Sequence, residues 1–321
     1  MIKTQKMRFI LGVSLFFLAL VGALEGMARF YPLAFLQVKT QIEFKMRGVK
    51  QVSWTPQLKG YVLDQCSASQ PEGGCACVAL LHGLGDHAMT WKEILLFPDQ
   101  GWYRMGLRDR LKIFAFDLPG SGKTPIPTDS TEFQVRRQAQ KIQEVLSQNC
   151  SQWIVVGNSL GGWIASWLAL DWPKGVSRLI LLAPAGIQAI RESETPQLLA
   201  HPSLETLKAF QKKAYAHPIA LPEYVWKQVL TQMENSSIRD ILNAQVPADD
   251  LDLRLHDIRA PVVILWGKED QVIPLALGKQ FREFLRGSIW REISDCGHLP
   301  QKECPAVVLQ SIIDMIRFGA I

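Results

Sequence analysis

Residues 154–170, IVVGNSLGGWIASWLAL, hold the side chain best placed for covalent chemistry. Ser159 stands at the centre of a Gly-x-Ser-x-Gly pentapeptide, with β-branched residues before it and a helix-forming apolar run after it. That order predicts a strand, a sharp turn and a helix, with the serine on the turn. So tight a turn strains the serine backbone and leaves no room for side chains two residues to either side, which accounts for Gly157 and Gly161. The hydroxyl is pushed into the open at a helix N-terminus, where amides and dipole favour the negative charge that develops in acyl transfer. Gly162, Ala165 and Ala169 give the helix a small-residue side for close packing on a sheet.

A serine hydroxyl needs a base to become nucleophilic. The histidines are His82, His87, His201, His217, His256 and His298. His298, in SDCGHLPQ, is the one that follows the last expected strand, and Gly297 permits the turn that would bring its imidazole over the serine. His201, His217 and His256 read as surface or packing residues. An acid that orients the imidazole belongs between nucleophile and base in chain order. Asp270, in WGKEDQVIP, stands there, and Glu269 is its nearest competitor; LLAPAGIQ, one strand earlier, offers no acid. A tetrahedral intermediate also needs two N–H groups aimed at its oxyanion. The backbone of Leu160 is expected to supply one and that of Leu84, in HGLGDH, the other. The side chain of His82 reads as an internal hydrogen-bonding group. His87 and Trp91 either line a substrate site or simply pack, and the sequence does not separate the two.

The stretch FDLPGSGKTP, residues 116–125, imitates a phosphate-binding loop. The GxxxxGK(S/T) pattern requires glycine at position 117, which is Asp117, and Pro125 and Pro127 follow where a helix should begin. No nucleotide is expected there.

These residues need a scaffold. Apolar runs suited to buried parallel strands occur at 77–82, 112–117, 153–158, 178–183, 261–267 and 288–293. Helical periods fill residues 131–148, 160–171, 275–286 and 305–317. The expected fold class is therefore α/β, a doubly wound, mostly parallel sheet. From about 186 to 257 the alternation stops and helical periods run without a buried strand, which reads as a cap inserted over the C-terminal ends of the strands. The division that follows is a core of residues 42–185 and 258–318, a cap of 186–257 and a distinct N-terminal segment, 1–28.

That segment carries FILGVSLFFLALVGAL, residues 9–24, an uncharged run of sixteen behind Lys3, Lys6 and Arg8. It reads as a membrane anchor or a signal segment, with Val21/Ala23 or Gly26/Ala28 as weak cleavage pairs. The charge bias across it places the body outside the cytoplasm. Residues 1–60 hold nine Lys or Arg against two Asp or Glu, a local +7 within a total of +5, so everything after residue 60 sums to −2. Basicity confined to the N-terminus argues against nucleic acid as a partner. At 321 residues, with 48% hydrophobic content and 20% charge, the chain has the composition of a globular protein. Six cysteines fit an oxidising compartment, with CSASQPEGGCAC able to close a short loop, and also fit buried thiols. Zinc spacing is missing, so no metal and no cofactor is expected.

From about residue 75 to 318 the chain resembles the α/β-hydrolase superfamily, with HGLG, DLPGSG, GNSLGG, GKEDQVIP and CGHLPQ in the order of that family. Within it, HGLGDH looks like the oxyanion loop of monoacylglycerol lipases, and LLAPAGI with an N-terminal apolar segment is similar to membrane-anchored bacterial lipases and esterases. DLPGSG departs from the RGHG form frequent in monoacylglycerol lipases, and a serine nucleophile sets the chain apart from dehalogenases and epoxide hydrolases. The resemblance implies that Asp117 and Gly120–Thr124 are scaffold. It implies a serine hydrolase of lipid-like acyl esters, with Ser159, His298 and Asp270 as catalytic residues. Hydrolysis of a carbon–carbon bond in ring-cleavage products and a silent binding module on the same fold are the alternatives.

Overall fold

The computed structural model describes residues 26, 29–67, 74–97, 107, 110–193 and 195–318. The apolar run at 9–24 lies outside them, and among the described residues no helix is long and apolar enough to cross a membrane. The described chain opens with α1 (Pro32–Met46) and a hairpin of β1 (Lys50–Thr55) and β2 (Leu58–Asp64). Then come β3 (Ala76–Leu81), α2 (Lys92–Leu95), β4 (Leu111–Asp117), α3 (Val135–Ser147), β5 (Trp153–Asn158), α4 (Leu160–Asp171) and β6 (Val176–Leu182). Five helices follow without a strand: α5 (Gln188–Arg191), α6 (Thr195–Ala200), α7 (Leu204–Ala214), α8 (Glu223–Glu234) and α9 (Ile238–Asn243). β7 (Val262–Gly267), α10 (Leu275–Phe284), β8 (Ile289–Ile293), α11 (Pro300–Glu303) and α12 (Pro305–Phe318) complete the chain.

Among the described residues the sheet has eight strands in the order β1-β2-β4-β3-β5-β6-β7-β8. β1, β2 and β4 pair antiparallel, and from β4 to β8 the pairing is parallel. The six apolar runs fall on the six strands from β3 to β8 with ends shifted by at most two residues. No continuous apolar run marks β1, an edge strand that alternates Lys50, Gln51 and Ser53 with partly buried residues, while β2, paired on both sides, has its apolar residues interrupted by Lys59 and Gly60.

Helices on both faces build the core. On α3 the residues Val135, Ala139, Ile142, Val145 and Leu146 recur every three or four positions and are buried against the sheet, while the charged positions between them stay wet. Phe44 of α1, Ile94 of α2 and Ile312 of α12 fill the opposite face. Each of the large ones, such as Ile142, Leu146, Phe44, Ile94 and Ile312, stabilises the fold by about 2–5 kcal/mol, judged by truncation to alanine. The helices between β6 and β7 return to the core at Asp249. Its carboxylate accepts from the Val135 N–H at 3.0 Å, at the start of α3, and its carbonyl accepts from Trp163 and Trp167 Nε1 at 2.6 Å each. The six cysteines pair as Cys66–Cys75, Cys77–Cys150 and Cys296–Cys304. The first pairing closes the short loop read from the sequence.

Candidate active site

Ser159 links β5 to α4 with φ 52° and ψ −116°, in the strained left-handed half of backbone space. A Cβ on Gly157 would come within 2.2 Å of the Gly161 carbonyl oxygen, and one on Gly161 within 2.3 Å of that of Leu81. Both are backbone atoms that cannot yield, so the turn requires both glycines. The strain is held by a dense set of bonds: the Ser159 N–H donates to Leu182 O at 3.0 Å, and Ser159 O accepts from Gly162, Trp163 and Ala185.

His298 follows β8 and is buried, with Nδ1 2.8 Å from Asp270 Oδ2. Asp270 follows β7. Its other oxygen, Oδ1, accepts from the N–H of Val272 at 2.8 Å and of Ile273 at 2.9 Å, so the carboxylate cannot rotate and Oδ2 is left to the imidazole. Glu269 is placed elsewhere: its Oε2 accepts from Cys296 N at 3.0 Å and braces the loop that carries His298. Ser159 and His298 line one cavity of about 320 Å³. Leu84 and Leu160 line it too, and neither backbone N–H finds an acceptor among the described residues.

Three residues that the sequence did not single out fix the histidine. Asn158, immediately before the serine, donates through Nδ2 to the carbonyl of His298 and to that of Leu182, each at 3.0 Å. Gln301 donates to Asn158 Oδ1 at 3.1 Å. Glu303 accepts from Gly297 N at 2.8 Å with one oxygen and from Ala216 N at 2.9 Å with the other, joining the histidine loop to the segment after α7. The end of α7 completes the join, since the His298 N–H donates to Ala214 O at 2.7 Å. In sequence these are ordinary polar residues, and only the position of Asn158 beside the serine was a signal.

The remaining histidines sort by burial. His82 Nε2 accepts from Leu118 N at 3.0 Å, so Nδ1 carries the hydrogen and donates to Gly83 O at 2.7 Å. Burial pushes its pKa below the usual imidazole value, against the pull of Asp86 and other neighbours, and the neutral ring braces the loop that holds Leu84. His87 is exposed and its Nδ1 accepts from Met89 N, while Trp91 is wholly buried in the core. Neither is among the residues lining the cavity that holds Ser159. His201, His217 and His256 are exposed.

The loop of residues 117–124 wraps its own aspartate. Asp117 accepts from Ala88 N at 2.7 Å and Lys123 N at 2.9 Å, and a Cβ on Gly122, whose φ is +56°, would lie 2.2 Å from the carboxylate. A carboxylate occupies the space that a phosphate would need.

The walls of the cavity are apolar and come largely from the helices between β6 and β7, among them Leu207, Phe210, Trp226, Val229 and Met233. Its charged groups are paired: Lys302 Nζ lies 2.7 Å from Asp86 Oδ2, and Arg191 forks onto Asp250 with contacts of 2.8 and 2.9 Å.

The family model described as the alpha/beta hydrolase family matches residues 78–311. The chain belongs to that family. Its curated relatives include the monoacylglycerol lipase ABHD6 of Homo sapiens, 25% identical over 267 residues that cover 74% of each chain. They also include the 2-hydroxy-6-oxo-6-phenylhexa-2,4-dienoate hydrolase of Comamonas testosteroni, 27% identical over 75% of this chain and 87% of that one. Among solved structures, a membrane phospholipase A described as a bacterial virulence factor superposes with a TM-score of 0.71 at 24% identity, over 97% of this chain and 99% of its own. The relatives of this chain thus include both a monoacylglycerol lipase and a dienoate hydrolase.

Proposed function

We propose that the chain is a serine hydrolase of carboxylic esters with lipid-like acyl chains. The observation that carries this reading is the strained serine at the floor of an apolar cavity that also exposes an imidazole fixed by a buried carboxylate. With Nδ1–H donating to Asp270, His298 Nε2 is the free acceptor. It takes the proton as Ser159 Oγ attacks the carbonyl carbon. The carbonyl π-bond opens to an oxyanion held by the N–H groups of Leu84 and Leu160. On collapse the alcohol departs with the proton from His298, leaving an acyl-serine that water, activated by the same imidazole, hydrolyses.

A second reading, cleavage of a carbon–carbon bond, draws on the dienoate hydrolase of Comamonas testosteroni. An anionic dienoate calls for an unpaired cation, whereas Arg191 and Lys302 are both neutralised by carboxylates. The charge-compensated, apolar cavity supports the neutral ester. A panel of nitrophenyl esters of increasing chain length, run with Ser159→Ala, tests the choice. No turnover of any ester by the wild type would sink it.

Residues 186–257 act in this reading as a cap that supplies the acyl wall, on a core of 42–185 and 258–318. Residues 1–28 hold the enzyme at a membrane with its body on the outer side. The apolar run at 9–24 behind Lys3, Lys6 and Arg8, and the three cystines, support that placement.

A further inference from the structure

The proposed chemistry needs two loops in register: residues 83–86, which carry the Leu84 N–H, and residues 296–304, which carry His298. The strands that launch them, β3 and β8, are separated in the sheet by β5, β6 and β7. Strand pairing alone therefore leaves their separation loosely set. Across this gap Lys302 Nζ lies 2.7 Å from Asp86 Oδ2.

Each partner is tied to the group it would place. The Asp86 N–H donates to Gly83 O at 3.2 Å and its Oδ1 accepts from His87 N at 3.0 Å, so Asp86 closes the turn that contains Leu84. Lys302 stands on α11, four residues past His298, in a segment closed by the Cys296–Cys304 disulfide and by Glu303 holding Gly297 N. A contact of 3.4 Å between Gln301 and Thr90 runs alongside. Burial by itself would raise the Asp86 carboxyl, but the Lys302 ammonium foremost outweighs it and holds the pKa at about 2. Lys302 reaches the pair from an exposed position, a third of its side chain accessible; partial desolvation works against its charge, and Asp86 more than reverses it. Both ends stay charged through neutral pH.

We infer that Asp86 and Lys302 are positioning residues whose ion pair sets the distance between the Leu84 N–H and the His298 imidazole across the reacting carbonyl. The inference rests on the serine-hydrolase reading. The pair acts through Leu84 and His298 and makes no bond to the reacting atoms. Its charges are used on each other, so its loss falls on the transition state, where oxyanion and proton transfer must be met together, rather than on substrate binding.

The test uses the full chain with p-nitrophenyl butyrate as substrate and the rate of fluorophosphonate labelling as a measure of serine reactivity. Lys302→Gln and Asp86→Asn are each expected to lower kcat and the labelling rate by about 10- to 100-fold, with KM within about threefold of wild type. Lys302→Arg, which keeps the ion pair, is expected to recover most of the rate. The double variant Asp86→Asn/Lys302→Gln is expected to be no slower than either single one, because both break the same contact. It also removes both charges together, so it serves where a single variant leaves an unpaired charge and fails to melt cooperatively. A folded double variant with wild-type kcat, or a loss carried wholly by KM, overturns the inference while inactivity of Ser159→Ala leaves the hydrolase reading standing. If Ser159→Ala hydrolyses the ester like wild type, both fall.

Discussion

The hydroxyl of Ser159 has no substitute on its turn, so Ser159→Ala is expected to abolish ester hydrolysis and fluorophosphonate labelling while the melting curve stays close to wild type. Persistent labelling of the variant would end the mechanism. Asp270→Asn is expected to lower kcat by about 10⁴-fold. The reason is local: the N–H groups of Val272 and Ile273 claim an oxygen, so the amide must turn its NH₂ toward His298. Nδ1 then has to accept, the ring proton moves to Nε2, and the base is lost. Glu269→Gln keeps an oxygen for Cys296 N and is expected to retain most activity, with a stability change within about 1 kcal/mol. Equal losses in the two variants would return the acid to open choice.

At the scale of elements, the three disulfides have different duties. Cys77–Cys150 ties β3 to the segment before β5 across 73 residues, whereas Cys296–Cys304 closes a loop of 8 that contains His298. Loop-closure entropy makes the long cross-link worth about 4 kcal/mol and the short one about 2.5 kcal/mol. Replacing both cysteines of the 77–150 pair with serine is therefore expected to lower Tm more than the same change at 296–304. The order should reverse for kcat, because the short loop seats the imidazole. Thermal melts and nitrophenyl ester kinetics on the two variants check both rankings, and a 296–304 variant with wild-type kcat would show that Asn158, Glu269 and Glu303 suffice to hold the loop.

For the whole molecule, the buried neutral His82 links fold stability to pH. Its folded pKa is lowered by burial, and the unfolded chain titrates near the ordinary value of about 6.5, so below that value the unfolded state binds a proton that the folded state refuses. Stability is fully present above about pH 6.5 and falls as the pH drops, at up to about 1.4 kcal/mol per pH unit from this group. His82→Gln, which retains a donor and an acceptor, is expected to flatten that slope in denaturant melts between pH 7.5 and 5. An unchanged slope would place the acid sensitivity elsewhere. At the same scale, cell fractionation with a mass measurement of the N-terminus is expected to recover the intact chain in the membrane fraction. Full-length protein in the cytosolic fraction would defeat the placement outside the cytoplasm.

The sequence by itself marked the strands β3 to β7, because a strand buried on both faces is apolar almost throughout and so writes itself as a continuous run; β8, at the sheet edge with Arg291 and Glu292, was legible only as a short apolar-flanked stretch. It also marked the turn at Ser159, since a turn of that kind admits glycine alone at 157 and 161, and gave the chain order in which Ser159, Asp270 and His298 were expected. The hairpin of β1 and β2 was not legible, because the edge strand β1 leaves only a weak alternation and Lys59 and Gly60 interrupt the apolar residues of β2. The sequence named Asp270 with Glu269 as its nearest competitor, and the tertiary structure puts Asp270 against the imidazole and Glu269 against Cys296 N, because the backbone N–H groups that hold each acid point according to the turn. Tertiary structure alone paired the cysteines across 73 and 8 residues and sent Trp91 into the core rather than the cavity. It alone brought Asp86 to Lys302 and Asn158 to the His298 carbonyl. Those contacts join residues more than a hundred positions apart, and no local periodicity encodes which distant loops a twisted sheet will set side by side.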